Sequence, residues 1–302
     1  MMKGFDDNRG YRSVHTRGMG DRIFDFCNFI FIGIIGLLCL FPFVNVLAKS
    51  LSSEAAVVSG QVVFLPIGFT VKAYRYIFGS MLFWTSMKNS FIVTAAGMFL
   101  DTIFTVFVAY AVSRKSFVGR SAIYFLYVFT MLFSGGIIPT FLIVRQVGLL
   151  DKLPALFIPS LVTVFNMTII RNYFATIPSS LEESAKMDGA SNLNILFNIM
   201  IPLALPAIAT VALFSAVGLW NDYFTPLMYI QSRSNRTLQV FLRGVVEMSK
   251  DVNMNDFDSI NELAQETVRG ATVFAATLPI LLVYPFLQRY FVAGTTVGAV
   301  KE

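Results

Sequence analysis

Six stretches of this chain are apolar for long enough to cross the hydrocarbon of a bilayer, and nothing else in the sequence limits its possible folds so strongly. At 1.5 Å per helical residue, about 30 Å of hydrocarbon takes about 20 residues. The stretches run from Ile23 to Ala48, Asn89 to Ser113, Ser121 to Val144, Leu153 to Arg171, Leu203 to Ile230 and Val268 to Gln288. Their apolar residues are continuous rather than striped at helical intervals, so a single large soluble core does not accommodate them. Composition points the same way: 56% of the 302 residues are hydrophobic and 14% are charged, whereas soluble domains carry about a quarter charged. The expected fold is an all-α integral membrane protein with six transmembrane helices. Residues 1–22 and 289–302 are polar tails on a membrane domain of 23–288.

Basic residues beside the spans set the orientation. Arg12, Arg17 and Arg22 precede the first span, and Arg114, Lys115 and Arg120 crowd the turn between the second and third, which places both termini in the cytoplasm. Arg233, Arg236, Arg243 and Lys250 fall on the opposite side, in a long segment that also holds Glu247, Asp251, Asp256 and Asp258. Short loops near the first helix dominate such a decision. Two sizeable polar segments, 49–88 and 231–267, then face outward and are open to a soluble partner. Gly135, Gly136 and Pro139 in the third span, and Pro279 and Pro285 in the sixth, interrupt regular helical bonding, as transporters and ordinary bundles both tolerate.

Several function classes lose their raw material. The net charge of +5 is spread over every polar segment and forms no aromatic-studded basic patch, so lipid headgroups explain it better than nucleic acid. His15 is the single histidine, which leaves no His-based metal site and no Ser-His triad. Cys27 and Cys39 lie in the first span, about 18 Å apart along one helix and beyond disulfide reach. No Gly-x-x-x-x-Gly-Lys-Ser/Thr phosphate loop is present, so any ATP and its Mg belong to a partner. Within the spans, Asp101 either lines a solute path or hydrogen-bonds another helix, because a charge in hydrocarbon costs from about 3 kcal/mol upward. Trp220 and Asn221 either offer a ring face and an amide to a sugar or anchor the outer interface.

The segment from Ile177 to Ala190, Ile-Pro-Ser-Ser-Leu-Glu-Glu-Ser-Ala-Lys-Met-Asp-Gly-Ala, is the most informative. Pro178 stops the preceding helix, Ser180 with Glu183 forms a capping box, and Gly189 suits a left-handed terminus. The spacing predicts a helix of about two turns, too short to be stable alone and therefore in need of a groove on another surface. After Glu183-Ser184-Ala185 come Gly189 and then Ile199-x-Ile201-Pro202. This pattern resembles the EAA loop of binding-protein-dependent ABC importer permeases, with Ser184 in place of Ala and Ile201 in place of Leu. Trp220-Asn-Asp-Tyr-Phe-Thr-Pro226, Gly136-Ile-Ile-Pro-Thr140, Val147-Gly-Leu149 and the ending from Gln288 to Lys301 are similar to the MalG-like, LplC-type carbohydrate branch of that family.

The resemblance implies a type I importer permease with its coupling loop at 177–202, which moves an oligosaccharide and catalyses no reaction itself. It assigns Glu183, Ser184, Ala185, Asp188 and Gly189 to the ATPase contact, and Gln288, Gly294 and Lys301 to a second one. Implied partners are a related permease subunit, two ATPase subunits, and an extracellular or lipoprotein solute-binding protein in the cell membrane. The alternatives are an ABC permease for another small solute and half of an ion-coupled secondary transporter, of which Asp101 is the sole support.

Overall fold

In the computed structural model, residues 19–247, 266–279 and 281–282 are described, and every regular element among them is helical. In chain order these are α1 (Met19–Ser50), α2 (Glu54–Val58), α3 (Lys72–Gly79), α4 (Met81–Ser113), α5 (Arg120–Leu132) and α6 (Ile137–Gln146). Short 3₁₀ turns at Leu153–Leu156 and Ile158–Ser160 lead into α7 (Val164–Thr176) and α8 (Ser179–Met187). Then follow α9 (Asn192–Ile195), a π turn at Leu196–Met200, α10 (Ile201–Asn221), α11 (Phe224–Tyr229) and α12 (Leu238–Glu247). Residues 266–279 form a further helix.

Three helices, Arg22–Ser50, Met81–Ser113 and Asn192–Asn221, are long and apolar enough to cross a bilayer, and two bent pairs raise the number to five. The expected third span is not straight: α5 and α6 meet at 115°. The turn falls on Ser134, Gly135 and Gly136, and Pro139 sits in the first turn of α6, where its missing N–H leaves no helical bond unmade. The fourth is bent by 51° between its 3₁₀ turns and α7. Of the sixth, 266–279 is helical, whereas Pro285 and Gln288 lie outside the described residues.

Two boundaries shift for a common reason. The second span begins at Met81, well before Asn89, because Ser86, Asn89 and Ser90 depress the apolar pattern while lying buried in the helix. Asn89 Nδ2 donates to the carbonyls of Ser234 (2.7 Å) and Arg236 (3.0 Å), and Ser90 Oγ accepts from the Leu238 N–H (2.8 Å). Asn89 and Ser90 thereby fasten the segment from Ser234 to Leu238 onto α4. The fifth span begins at Asn192, well before Leu203, since the π turn carries the helix up to Pro202. Proline there removes one N–H from the ladder, and a wider turn adjusts the backbone ahead of it.

The 33-residue α4 is the axis of the bundle, packed against α7 and α10. At Gly97, α4 is packed tightly against α10 and the 3₁₀ turns before α7: a Cβ there would stand 2.6 Å from Leu219 Cδ1 and 2.9 Å from Phe157 Cβ. Small residues permit such approach between membrane helices. One apolar cluster, around Phe83, Trp220, Leu238 and Phe241, sits at one end of the bundle. Another, around Ala109, Ile170, Phe174, Leu196 and Met200, sits at the opposite end beside α8 and α9. By contrast α1 is exposed from residue 22 to 43, and among the described residues it packs on the rest of the chain from Phe41 onward. An apolar helix bare on all sides needs lipid or another apolar chain around it.

Candidate functional site: the loop between α7 and α10

Helix α7 ends at Thr176, Ile177 is extended, and Pro178 opens α8 from a polyproline conformation (φ −58°, ψ 130°). The expected capping box is absent. Pro178 itself is the N-cap, no side chain caps the helix, and Ser180 falls inside the first turn. Proline's fixed φ starts the helix one residue before Ser180 could serve as cap. The other end follows expectation. Gly189 has φ +80°, its N–H bonds to the Lys186 carbonyl (3.0 Å), and the Ala190 N–H bonds to the Ala185 carbonyl (2.9 Å). That pairing satisfies the last carbonyls of α8 and turns the chain sharply. Ser191 then caps α9, its Oγ accepting from the Asn194 N–H at 3.2 Å.

One face of α8 is turned outward. Glu183, Ser184, Asp188 and Gly189 are exposed, and Met187 is 89% exposed. Ala185 is half-buried against the apolar cluster that α7 and α10 share. The opposite face is held by Glu182, which is 8% exposed. Arg114, just past the end of α4, donates NH1 to Glu182 Oε2, and Lys186 Nζ lies 3.5 Å from Oε1. The Arg114 guanidinium also lies over the Tyr110 ring, 4.5 Å from its centroid, while Tyr110 Oη reaches the Asn192 carbonyl at 3.4 Å. The end of α4 therefore grips the start of α8 and the start of α9 together. Sequence reasoning passed over Glu182 and Arg114 as a pair. The available signals were the Glu182 to Lys186 spacing of four and an arginine in the turn on the same side.

Further into the bundle, Asp101 is 6% exposed and surrounded by donors. Its Oδ1 accepts from the Val162 N–H (2.9 Å) and Thr105 Oγ1 (3.4 Å). Its Oδ2 accepts from Ser215 Oγ and from Asn166 Nδ2 (3.4 Å). These groups come from α4, α7, α10 and the break at 161–163, where Val162 holds a left-handed φ of +62°. Trp220 and Asn221 separate. The Trp220 ring is buried in the apolar cluster around Phe83, whereas Asn221 is exposed and its Nδ2 donates to the Val217 carbonyl at 3.0 Å. Gln288, Gly294 and Lys301 lie outside the described residues.

At the end of the bundle away from α8, Asp151 joins the segment after α6 to the segment after α11. Its Oδ1 accepts from the Gln231 N–H (3.0 Å), the Ser232 N–H (2.9 Å) and Ser232 Oγ (2.9 Å). Its own N–H donates to the Tyr229 carbonyl (2.8 Å), and Asn235 Nδ2 donates to its carbonyl (2.7 Å). The backbone N–H of Ser232 chiefly, aided by the Ser232 hydroxyl and the Gln231 N–H, holds the Asp151 carboxyl below its ordinary pKa.

The loop between α7 and α10 thus carries a short exposed helix, tied to the end of α4, on an all-helical and strongly apolar bundle. Residues 11–297 match the family described as "Binding-protein-dependent transport system inner membrane component". The chain belongs to that family of ABC importer permeases. It is therefore a multi-pass subunit of the plasma membrane, or of the inner membrane where there are two, and it is the transmembrane component, not a catalytic one. It is 42% identical over 285 residues to the polygalacturonan/rhamnogalacturonan transport system permease protein YtcP of Bacillus subtilis, covering 94% of this chain and 100% of that protein. It is 41% identical to protein LplC of the same organism, over 96% of this chain and 98% of that one. Among solved structures, a chain of a bacterial ABC transporter involved in the import of the acidic polysaccharide alginate superposes with a TM-score of 0.85 at 38% identity. That match covers 91% of this chain and 98% of the other.

Proposed function

We propose that this permease carries acidic oligosaccharides, delivered by an extracellular or lipoprotein solute-binding protein, through a pathway shared with a second, related permease subunit. The relatives support the substrate class: alginate is an acidic polysaccharide, and galacturonan, named in the most similar of the curated relatives reported above, is a polymer of a uronic acid. The full architecture is six spans of the type I kind with both termini cytoplasmic: tails at 1–22 and 289–302, a membrane domain at 23–288 and a coupling loop at 177–202. Two ATPase subunits bind ATP and Mg and close on each other. Each such closure pushes the exposed face of an α8-like helix, here Glu183, Ser184, Asp188 and Gly189, with Ala185 packing behind them. Gln288, Gly294 and Lys301 form a second contact with the ATPases. The outer segments around α2, α3 and α12 receive the binding protein.

The observation that carries this reading is the attachment of α8. An outward-facing helix with an 89% exposed methionine is tied to the end of α4 by one buried ion pair, and that same end of α4 is tied to the start of α9 by the Tyr110 hydroxyl on the Asn192 carbonyl. A push on α8 is thereby passed to two spans and not lost in a hinge. Asp101 acts as a clamp on the bend of the fourth span, Trp220 as an outer anchor, and Asn221 keeps a place on the pathway. An ion-coupled mechanism draws little from Asp101, because its oxygens are already engaged by neutral donors.

Gly189→Asp tests the coupling role. A Cβ at 189 meets nothing within 4 Å in this chain, and Asp tolerates the left-handed region at a cost of about 1–2 kcal/mol. The bundle should insert and fold, while uptake is abolished and the ATPase subunits dissociate during purification. Normal uptake by this variant removes the coupling role. Uptake of radiolabelled oligogalacturonate against a neutral oligosaccharide of equal length, by the reconstituted transporter, tests the substrate class.

A further inference from the structure

A cavity of about 260 Å³ opens between α5 and α7 at the same end of the bundle as α8, lined by Arg120, Ser121, Tyr124, Phe125, Val128 and Arg171. Its volume falls below the roughly 300–1,000 Å³ that drug-sized ligands fill, so it suits a small headgroup and not an oligosaccharide. The lining is graded. Arg120 and Ser121 stand in the first turn of α5, Phe125 and Val128 lie one to two turns deeper, and Arg171 sits five residues before the end of α7. Arg120 and Ser121 therefore mark the mouth end of the cavity, Arg171 stands level with Tyr124, and Val128 lies a turn further along α5.

Neither arginine has an acidic partner among the described residues, in contrast to Arg114 nearby, which has Glu182. The Arg171 guanidinium lies 4.4 Å from the centroid of the Tyr124 ring, and one of its terminal nitrogens donates to Asn172 Oδ1 at 3.1 Å. Its Nε is buried without a hydrogen-bond partner. Leaving such a donor unmade costs about 1–3 kcal/mol, more for a charged group, and an anion supplied from outside the chain removes that cost. Guanidinium groups engage phosphate oxygens in pairs, and basic pockets between spans on the cytoplasmic side take acidic lipid headgroups.

We propose that this cavity binds the phosphate of an anionic phospholipid of the cytoplasmic leaflet, with Arg120, Arg171 and Ser121 on the headgroup and Phe125 and Val128 along its acyl chain. The inference rests on the cytoplasmic placement of this end proposed above. That placement is tested separately, by whether Lys115→Cys is labelled from inside the cell. A lipid held here bridges α5 and α7, two of the elements that flank the lever.

The test is native mass spectrometry of the intact transporter, with phosphatidylglycerol or phosphatidylcholine of matched chains added. The wild type should retain phosphatidylglycerol over phosphatidylcholine. The Arg120→Gln, Arg171→Gln double variant should lose that preference by about ten-fold or more, and the Arg120→Lys, Arg171→Lys variant should keep part of it. Equal retention of both lipids by the wild type overturns the proposal whatever the variants do, as does an undiminished preference in the Gln variant. Displacement of the lipid by millimolar inorganic phosphate would assign the site to free phosphate and so overturn its lipid source.

Discussion

Two buried carboxylates of this permease are stabilised in opposite ways. Asp101, inside the bundle, has no cation beside it among the described residues and is surrounded by neutral donors from three helices and one strained turn. Glu182, at the end of the bundle that carries α8, is held by Arg114 and Lys186. Several neutral hydrogen bonds from separate elements fix a shape, because every donor must stay in place to be satisfied. A single ion pair between two elements ties them while leaving the rest of each free to move. The bend of the fourth span is thus locked from within, whereas α8 is joined to the end of α4 through one ion pair and rests on the bundle through Ala185.

The largest effect expected is at Asp101. Replacement by Leu orphans the Val162 N–H together with the Ser215 and Asn166 donors, at about 1–3 kcal/mol each. Asp101→Leu should therefore lower the unfolding temperature in detergent sharply, and Asp101→Asn, which keeps an acceptor, should lower it far less. Equal losses would mean that the charge and not the donors matters, which breaks the contrast with Glu182. Next, Glu182→Ala leaves Arg114 largely buried and unpaired, a change costing about 3 kcal/mol. Arg114→Leu with Glu182→Leu should recover that stability without recovering coupled transport. Recovery of both would reduce the pair to packing.

A third carboxylate sharpens the comparison by its pH dependence. The folded pKa of Asp151 is depressed, so its contribution is complete above the unfolded value and is lost as pH falls through the folded one. Amide exchange at Gln231 and Ser232 should stay slow at neutral pH and rise only below the usual carboxylate range. Asp151→Asn should flatten that rise. The smallest effect belongs to Val162, whose left-handed φ strains a β-branched residue. Val162→Gly should change stability by no more than about 1 kcal/mol, as relief of strain offsets added chain entropy. A large loss would show that its side chain, and not the Asp101 bond, holds the turn.

Continuous apolar runs and a loop bracketed by Pro178 and Gly189 were legible in the sequence because hydropathy and turn chemistry are local properties. The 115° turn of the third span was half legible: its glycines and Pro139 mark a break, but the angle is set by neighbours. The early start of α4 was hidden because Ser86, Asn89 and Ser90 read as polar and lie buried, and the partners of Asn89 and Ser90 are more than 140 residues away. Shorter separations, of 61 to 114 residues, likewise concealed the Arg114 to Glu182 pair and the donors that reach Asp101 from other elements. The capping box failed for a local reason, since Ser180 competes with Pro178 and proline fixes the helix start first. Chain-distant polar contacts between spans are what periodicity cannot report.

Cysteine crosslinking at the lever is the most direct test. With the native thiols removed as Cys27→Ser and Cys39→Ser, Ser184→Cys stands on the exposed face of α8. A short bifunctional reagent should join it to an ATPase subunit, with a yield that changes when ATP is bound. Labelling of Ser184→Cys only from outside the cell, or no adduct with an ATPase in any nucleotide state, would contradict the lever.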